Sequence, residues 1–212
     1  MSHAGHTMST LIDLPETFGH IDIYLFDQLL KGRIAAADRV LDAGCGSGRN
    51  LFYLMKMGCR VSAVDANPGA VAGVHELAVE LSTGLPPENF RAEAVESLSF
   101  ADSAFDVVIS SAVLHFAKDD GHFESMVRSM WRVLRPGGMF FARLASTVAI
   151  EDQIQPIGRG HFRLPDGSDR YLVSAEKLEQ LTATLGGQLL DPIKTTVVHG
   201  QRSMTTWVVR KD

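Results

Sequence analysis

Residues 42–48, Asp-Ala-Gly-Cys-Gly-Ser-Gly, stand between a short β-branched run, RVLDAG (39–44), and a stretch of good helix formers, RNLFYLMKMG (49–58). A strand that turns through glycines into a helix leaves backbone N–H groups open to a ligand, beside the positive end of the helix dipole. This unit points to an α/β architecture with a nucleotide-like ligand at the carboxyl edge of the first strand. Asp65 reinforces it. RVSAVD (60–65) reads as the second strand, and its terminal carboxylate, 21 residues after Gly44, falls where an acidic side chain accepts hydrogen bonds from both hydroxyls of a ribose. The glycines run G-x-G-x-G, and Arg49 stands where a dinucleotide fingerprint needs its third glycine, so a nicotinamide cofactor is the weaker reading.

The βα pattern continues along the chain. Asn67 as N-cap and Pro68 in the first turn open a helix over 67–84, strands are expected at 90–95 and 105–111, and an amphipathic helix spans 119–134. RPGG then breaks the chain before a fifth strand at 138–146. Ser174 opens a last helix that Gly186 and Gly187 stop, and strands at 188–198 and 203–210 are joined so closely that they must pair antiparallel. Residues 16–36 carry apolar side chains at helical spacing and read as one leading helix. The fold class expected is therefore α/β: a Rossmann-like, doubly wound, mostly parallel seven-stranded sheet with an antiparallel C-terminal hairpin. A chain of 212 residues, 45% of them hydrophobic, suits one such domain over 16–212, after a flexible tail at 1–15.

Charge and cysteine content narrow the partners. A formal net charge of −5, with 20 scattered basic residues, gives no attraction to a phosphate backbone, and no run nears the roughly 18 apolar residues of a membrane span. Neither nucleic acid nor membrane is expected as a partner. Cys45 and Cys59 provide no disulfide framework or zinc cluster, and His20, His75 and His122 show no convergent ligand spacing, so no metal is expected and a cytoplasmic location fits best. The chain is expected to act as a monomer or homodimer.

VLDAGCGSGRN, AVDANPGAV, FDVVISSAVLHF and LRPGGMFF resemble, in order and spacing, the successive motifs of class I S-adenosylmethionine-dependent methyltransferases over residues 36–146. Within that superfamily, GCGSGRNLFYL looks most like the tellurite-resistance group and its thiopurine-methyltransferase-like relatives. The resemblance implies that Asp42, Gly44, Gly46 and Gly48 surround the methionine end of the cofactor, with Cys45 and Asn50 in the same binding set. It also implies that Asp65 holds the ribose, Ala66 lies beside the adenine, and Ser110 or, preferably, Ser111 offers its carbonyl to the cofactor's amino group. Many relatives carry an Asp where this chain has Ala94, so Glu93 or Glu96 must substitute at the adenine, with the backbone N–H of Val95 still free to contact the ring.

A methyl group on a sulfonium is already activated, so the protein mainly has to align an acceptor and exclude water, and no short catalytic motif is needed. His115, just after the fourth strand, is one catalytic candidate. His199 is the other; with Arg202 it resembles a histidine–arginine pair that the tellurite-type group carries near its final hairpin. The polar segment 158–171 reads as a long connection that is either solvated or functional, and its Arg159, His161, Arg163 and Arg170 suit an anionic acceptor. Arg159, His161 and Arg202 are taken as substrate-binding residues. Phe18 and Tyr24 read as packing residues or as a lid, and Cys45 as a small loop residue rather than a nucleophile. The function expected is methyl transfer from S-adenosylmethionine to a small-molecule acceptor, such as a metalloid oxyanion or thiol, with S-adenosylhomocysteine as product. A cofactor-binding sensor without transferase activity is the alternative from another class, and an NAD(P)-dependent oxidoreductase is the rival enzyme.

Overall fold

The computed structural model describes residues 13–212. Strands β1 (Arg39–Ala43), β2 (Arg60–Asp65), β3 (Phe90–Ala92), β4 (Phe105–Ser111) and β5 (Leu134–Ala145) lie parallel in the order β3-β2-β1-β4-β5. β1 pairs with both β2 and β4, so the strand order reverses there, and ligands bind in the crevice outside the carboxyl ends at such a point.

Helices α1 (Leu14–Phe18), α2 (Ile23–Leu30), α3 (Leu51–Met57), α4 (Pro68–Glu80), α5 (Asp120–Val133) and α6 (Ala175–Thr184) complete the layers. Alternation along the strands divides the core in two. Val107 and Ile109 of β4 join Leu25 of α2, Leu54 of α3 and Val74 of α4 on one face; Val108 joins Phe123 and Met130 of α5 and Leu178 of α6 on the other, where a register irregularity between Phe105 and Val107 also places Phe105. Each fully buried side chain of this size contributes roughly 1.5–3 kcal/mol. The helix starts are built as their sequences require: the side chains of Asp22, Asn67, Asp119 and Ser174 accept backbone N–H bonds at the first turns of α2, α4, α5 and α6.

Five expectations need correction. The leading segment is two helices, because Gly19 takes φ +63° and ends α1 before Asp22 caps α2. α1 starts at Leu14, inside the segment read as tail; residues 1–12 lie outside the described residues. RPGG does not precede β5 but lies within it, at an irregularity where the partner of β4 jumps from Leu134 to Met139. The run 188–198 is two strands, β9 (Gly187–Leu189) and β10 (Lys194–Val198), interrupted around Pro192. Both pair antiparallel with β11 (Arg202–Lys211), which itself pairs antiparallel with β5, so the sheet has eight strands rather than seven.

The fifth correction bears on function. The segment read as a connection folds into a separate three-stranded antiparallel sheet of β6 (Gln155–Gly158), β7 (His161–Arg163) and β8 (Asp169–Tyr171). Leu164, Leu172 and Ala145 form a small core between this sheet and the carboxyl end of β5, which sets the insertion over the crevice. Among the described residues no helix is long and apolar enough to cross a membrane.

Candidate active site

The loop after β1 is pinned to its neighbour: the N–H groups of Gly44 and Cys45 both donate to the Val64 carbonyl, at 2.7 and 2.9 Å. Gly44 has φ +86°, and a Cβ there would stand 2.3 Å from Cγ2 of Val113, so the position requires glycine on two counts. Gly46 is the opposite case. A Cβ on it would meet nothing within 4 Å, so the loop presents bare backbone to open space. Its N–H donates to Oδ2 of Asp65 at 3.0 Å, while Oδ1 accepts the Asn67 N–H at 2.9 Å. A carboxylate offers about four lone-pair directions, which leaves acceptor capacity on Asp65 for a ligand.

This loop forms one wall of a cavity of about 640 Å³, within the size range of small-molecule and cofactor sites. Of the residues expected to bind cofactor, Gly44, Cys45, Gly46, Asn50, Asp65, Ala66, Val95, Glu96 and Ser111 line it. Glu96 rather than Glu93 takes the place beside Ala94, because Glu93 is turned away to accept the Ser99 N–H at 3.1 Å. Oε1 of Glu96 stands 3.1 Å from Nε2 of His122, whose Nδ1 accepts the Lys118 N–H. Burial pushes the Cys45 thiol far up, which keeps it protonated and inert as a nucleophile.

Asp42 and Gly48 do not line the cavity. Gly48 is buried against α4, where an added Cβ would meet Val74 at 2.9 Å. Asp42 is buried behind the loop, and neither carboxylate oxygen has a hydrogen-bond partner. Burial raises its pKa to about 7, against the opposing charge of Arg49. A rim carboxylate with spare acceptor capacity beside an open backbone face fits a ligand that carries ribose hydroxyls, as S-adenosylmethionine does.

A second cleft, of about 280 Å³, lies beyond Ala112, a residue held at φ +63° that lines both cavities. His115, in the 3₁₀ turn Leu114–Phe116, lines it, as do Arg143 of β5, Arg170 of β8 and Arg202 of β11. Burial, with the charge of Arg170, holds the His115 pKa down to about 4. Nδ1 of His115 accepts a long bond, 3.4 Å, from the Ala145 N–H, which assigns the ring proton to Nε2. His115 is therefore a neutral donor at pH 7 and not a base.

The structure separates the other expected acceptor residues from this cleft. Arg159 is exposed in the β6–β7 turn at φ +54°, and His161 packs edge-on against Tyr171. His199 is exposed at the apex of the β10–β11 turn, φ +52°, so only Arg202 of the histidine–arginine pair reaches the cleft. Phe18 packs against Phe26 and Tyr53, and the Tyr24 hydroxyl bonds to Thr196 of β10; neither residue lines either cavity.

Sequence reasoning missed Arg143 and Asp22. Asp22, buried at the start of α2, accepts from Nη1 of Arg143 at 2.9 Å and lies 3.5 Å from Nη2 of Arg49, and its own N–H donates to Oδ1 of Asn50 at 3.0 Å. It thus ties the glycine loop, the leading helix and the second cleft together. The available signal was one charge inside an apolar strand, FFARLA.

Residues 41–142 match the methyltransferase domain family. An uncharacterized methyltransferase of Synechocystis sp. is 30% identical over 166 residues, which cover 78% of this chain and 70% of that protein. The chain spans between 38% and 63% of the length of three other curated relatives it matches. TehB of Haemophilus influenzae superposes with a TM-score of 0.70 at 18% identity, covering 94% of this chain and 66% of that one. The 1,6-didemethyltoxoflavin-N1-methyltransferase of Burkholderia thailandensis, solved with 1,6-didemethyltoxoflavin and S-adenosylhomocysteine bound, superposes at 0.68 with 20% identity, covering 94% and 81%. Identities this low carry the fold and not the acceptor. With the glycine loop, Asp65 and the reversal of strand order at β1 in place, the chain belongs to the class I S-adenosylmethionine-dependent methyltransferases.

Proposed function

We propose that this chain transfers a methyl group from S-adenosylmethionine, held in the larger cavity, to a small molecule held in the smaller cleft. The observation that carries this reading is the shared wall: Ala112 lines both spaces, so a ligand in one abuts a ligand in the other. At about 280 Å³ the cleft suits a compact acceptor, since it lies at the lower end of ligand-site volumes.

Asp65 would hold the ribose, Gly46 and Asn50 the methionine end, and Ala66, Val95 and Glu96 the adenine. The bound cofactor supplies an activated methyl group on a sulfonium. The chain's own work is positioning: Val113 under the loop and Phe116 at the rim shape the passage between the two spaces, and His115 offers Nε2–H to orient the acceptor. The metalloid oxyanions and thiols expected from sequence belong to this reading as candidate acceptors.

Calorimetric titration with S-adenosylmethionine and, separately, with NADH tests the cofactor assignment. Release of S-adenosylhomocysteine against thiol, selenite and tellurite then tests transfer. Micromolar binding of S-adenosylmethionine alone, about −8 kcal/mol, with acceptor-dependent product supports the reading. Preference for NADH refutes it, and tight binding without turnover on any acceptor favours a sensor.

A further inference from the structure

The smaller cleft is cationic in a chain whose formal net charge is −5. Arg143, Arg170 and Arg202 line it against one carboxylate, Asp166. Among the described residues neither Arg170 nor Arg202 forms an ion pair. Arg170 spends one N–H on the Asp169 carbonyl, at 2.7 Å, and lies 5.1 Å over the Phe116 ring. Arg143 is paired with Asp22 through Nη1, and its Nε is buried without a partner among the described residues. Arg143 thus arrives in the cleft wall with its charge already shared with Asp22, and Arg170 and Arg202 carry the unpaired charge. Guanidinium groups converging on a small space match the planar, multi-acceptor geometry of carboxylates and oxyanions.

Among the described residues the cleft offers only weak proton acceptors. Its one imidazole, His115, has Nδ1 occupied by the Ala145 N–H and its proton on Nε2. Asp166 accepts both the N–H and the hydroxyl of Ser168 on Oδ1, at 2.9 and 2.6 Å, and those bonds hold its carboxyl below the usual range. A hydroxyl, amine or thiol that had to lose a proton during transfer would find only weak bases here among the described residues.

We infer that the cleft takes a compact acceptor that is already an anion at neutral pH, a carboxylate or an inorganic oxyanion, and that attacks through its own lone pair with no proton removed by the protein. The inference rests on the methyltransferase reading above and deepens it. In the transfer, a lone pair of the anion forms the bond to the methyl carbon as the carbon–sulfur bond breaks, and the bonding pair stays on sulfur. With a carboxylate, the negative charge on the acceptor and the positive charge of the sulfonium disappear together, so no proton is released.

The test is calorimetry on the full chain saturated with S-adenosylhomocysteine, which fills the larger cavity. Benzoate and selenite serve as the organic and inorganic anions, and benzamide as the neutral isostere of benzoate. At least one anion is expected to bind, benzoate at least tenfold tighter than benzamide if it is the one, and Arg170→Gln/Arg202→Gln should weaken that anion at least tenfold while S-adenosylhomocysteine affinity changes less than twofold. Equal affinity for benzoate and benzamide, no binding of either anion, or an unchanged affinity in the double variant overturns the inference while leaving the methyltransferase reading intact. Failure of S-adenosylhomocysteine to bind overturns both. In weakly buffered solution, turnover of a carboxylate acceptor should release no protons; one proton per product formed from it, as a thiol or phenol would yield, overturns the pre-ionised acceptor.

Discussion

Gly44→Ala puts the geometry of the cofactor loop to a quantitative test. The native φ of +86° lies in the left-handed region, which costs an L-residue roughly 1–2 kcal/mol. The added methyl would stand 2.3 Å from Cγ2 and 3.0 Å from Cγ1 of Val113, and such overpacking costs typically ~1–3 kcal/mol. Together these predict a loss of about 2–5 kcal/mol. For a chain of this size each kcal/mol moves Tm by ~2–4 °C, so a fall of roughly 4–20 °C is expected by calorimetric melting. Val113→Ala removes the obstacle but not the backbone strain. The double variant should therefore be more stable than the two single effects predict, by about 1–3 kcal/mol, because the overlap term vanishes. S-adenosylmethionine affinity should follow the same pattern, because the Gly44 N–H helps pin the loop to Val64. Effects that add to within ~0.5 kcal/mol would show that Gly44 does not rest on Val113, and the cradle argument would fail with it.

Asp65→Asn should weaken S-adenosylmethionine by about 10²–10⁴-fold, since two hydrogen bonds to a charged acceptor contribute ~1.5–3 kcal/mol each; a change under threefold refutes the ribose assignment. Asp42→Asn should alter the pH dependence of stability. Because folding raises the Asp42 pKa from 3.8 to about 7, the folded state binds the proton more tightly, and the associated stability is full below the unfolded value and lost as pH rises through 7. Melts between pH 5 and 8 should show the wild type falling relative to the variant by up to ~1.4 kcal/mol per pH unit, and parallel curves would remove the buried-carboxyl argument. Asp22→Ala strands Arg143, so denaturant titration should register a loss of about 3–5 kcal/mol; less than 1 kcal/mol would mean that the pair is not formed.

The glycine-loop wall of the larger cavity was legible in the residues because its signals are local. Strand, glycine loop and helix run without interruption from Arg39 to Met57, and Asp65 closes the next strand; backbone hydrogen bonding and side-chain alternation dictate that much within some twenty residues. The smaller cleft was not legible, because its make-up depends on what folding brings opposite. Residues 158–171 read as a polar connection since β7 and β8 are three residues each, too short for periodicity to register. His199 and Arg202 read as a pair in sequence, one catalytic and one substrate-binding, yet the first caps a hairpin turn in solvent and the second begins a strand that faces the cleft. The leading helix broke at Gly19, whose left-handed backbone only the packing of α1 and α2 makes necessary. Arg143 shows the limit most plainly: within FFARLA it is one charge in an apolar strand, and its role arises only because Asp22, 121 residues away, comes within 2.9 Å of it. Local sequence dictates conformation through neighbours along the chain, whereas a charge acquires its function from neighbours in space, and only the closed tertiary structure supplies those.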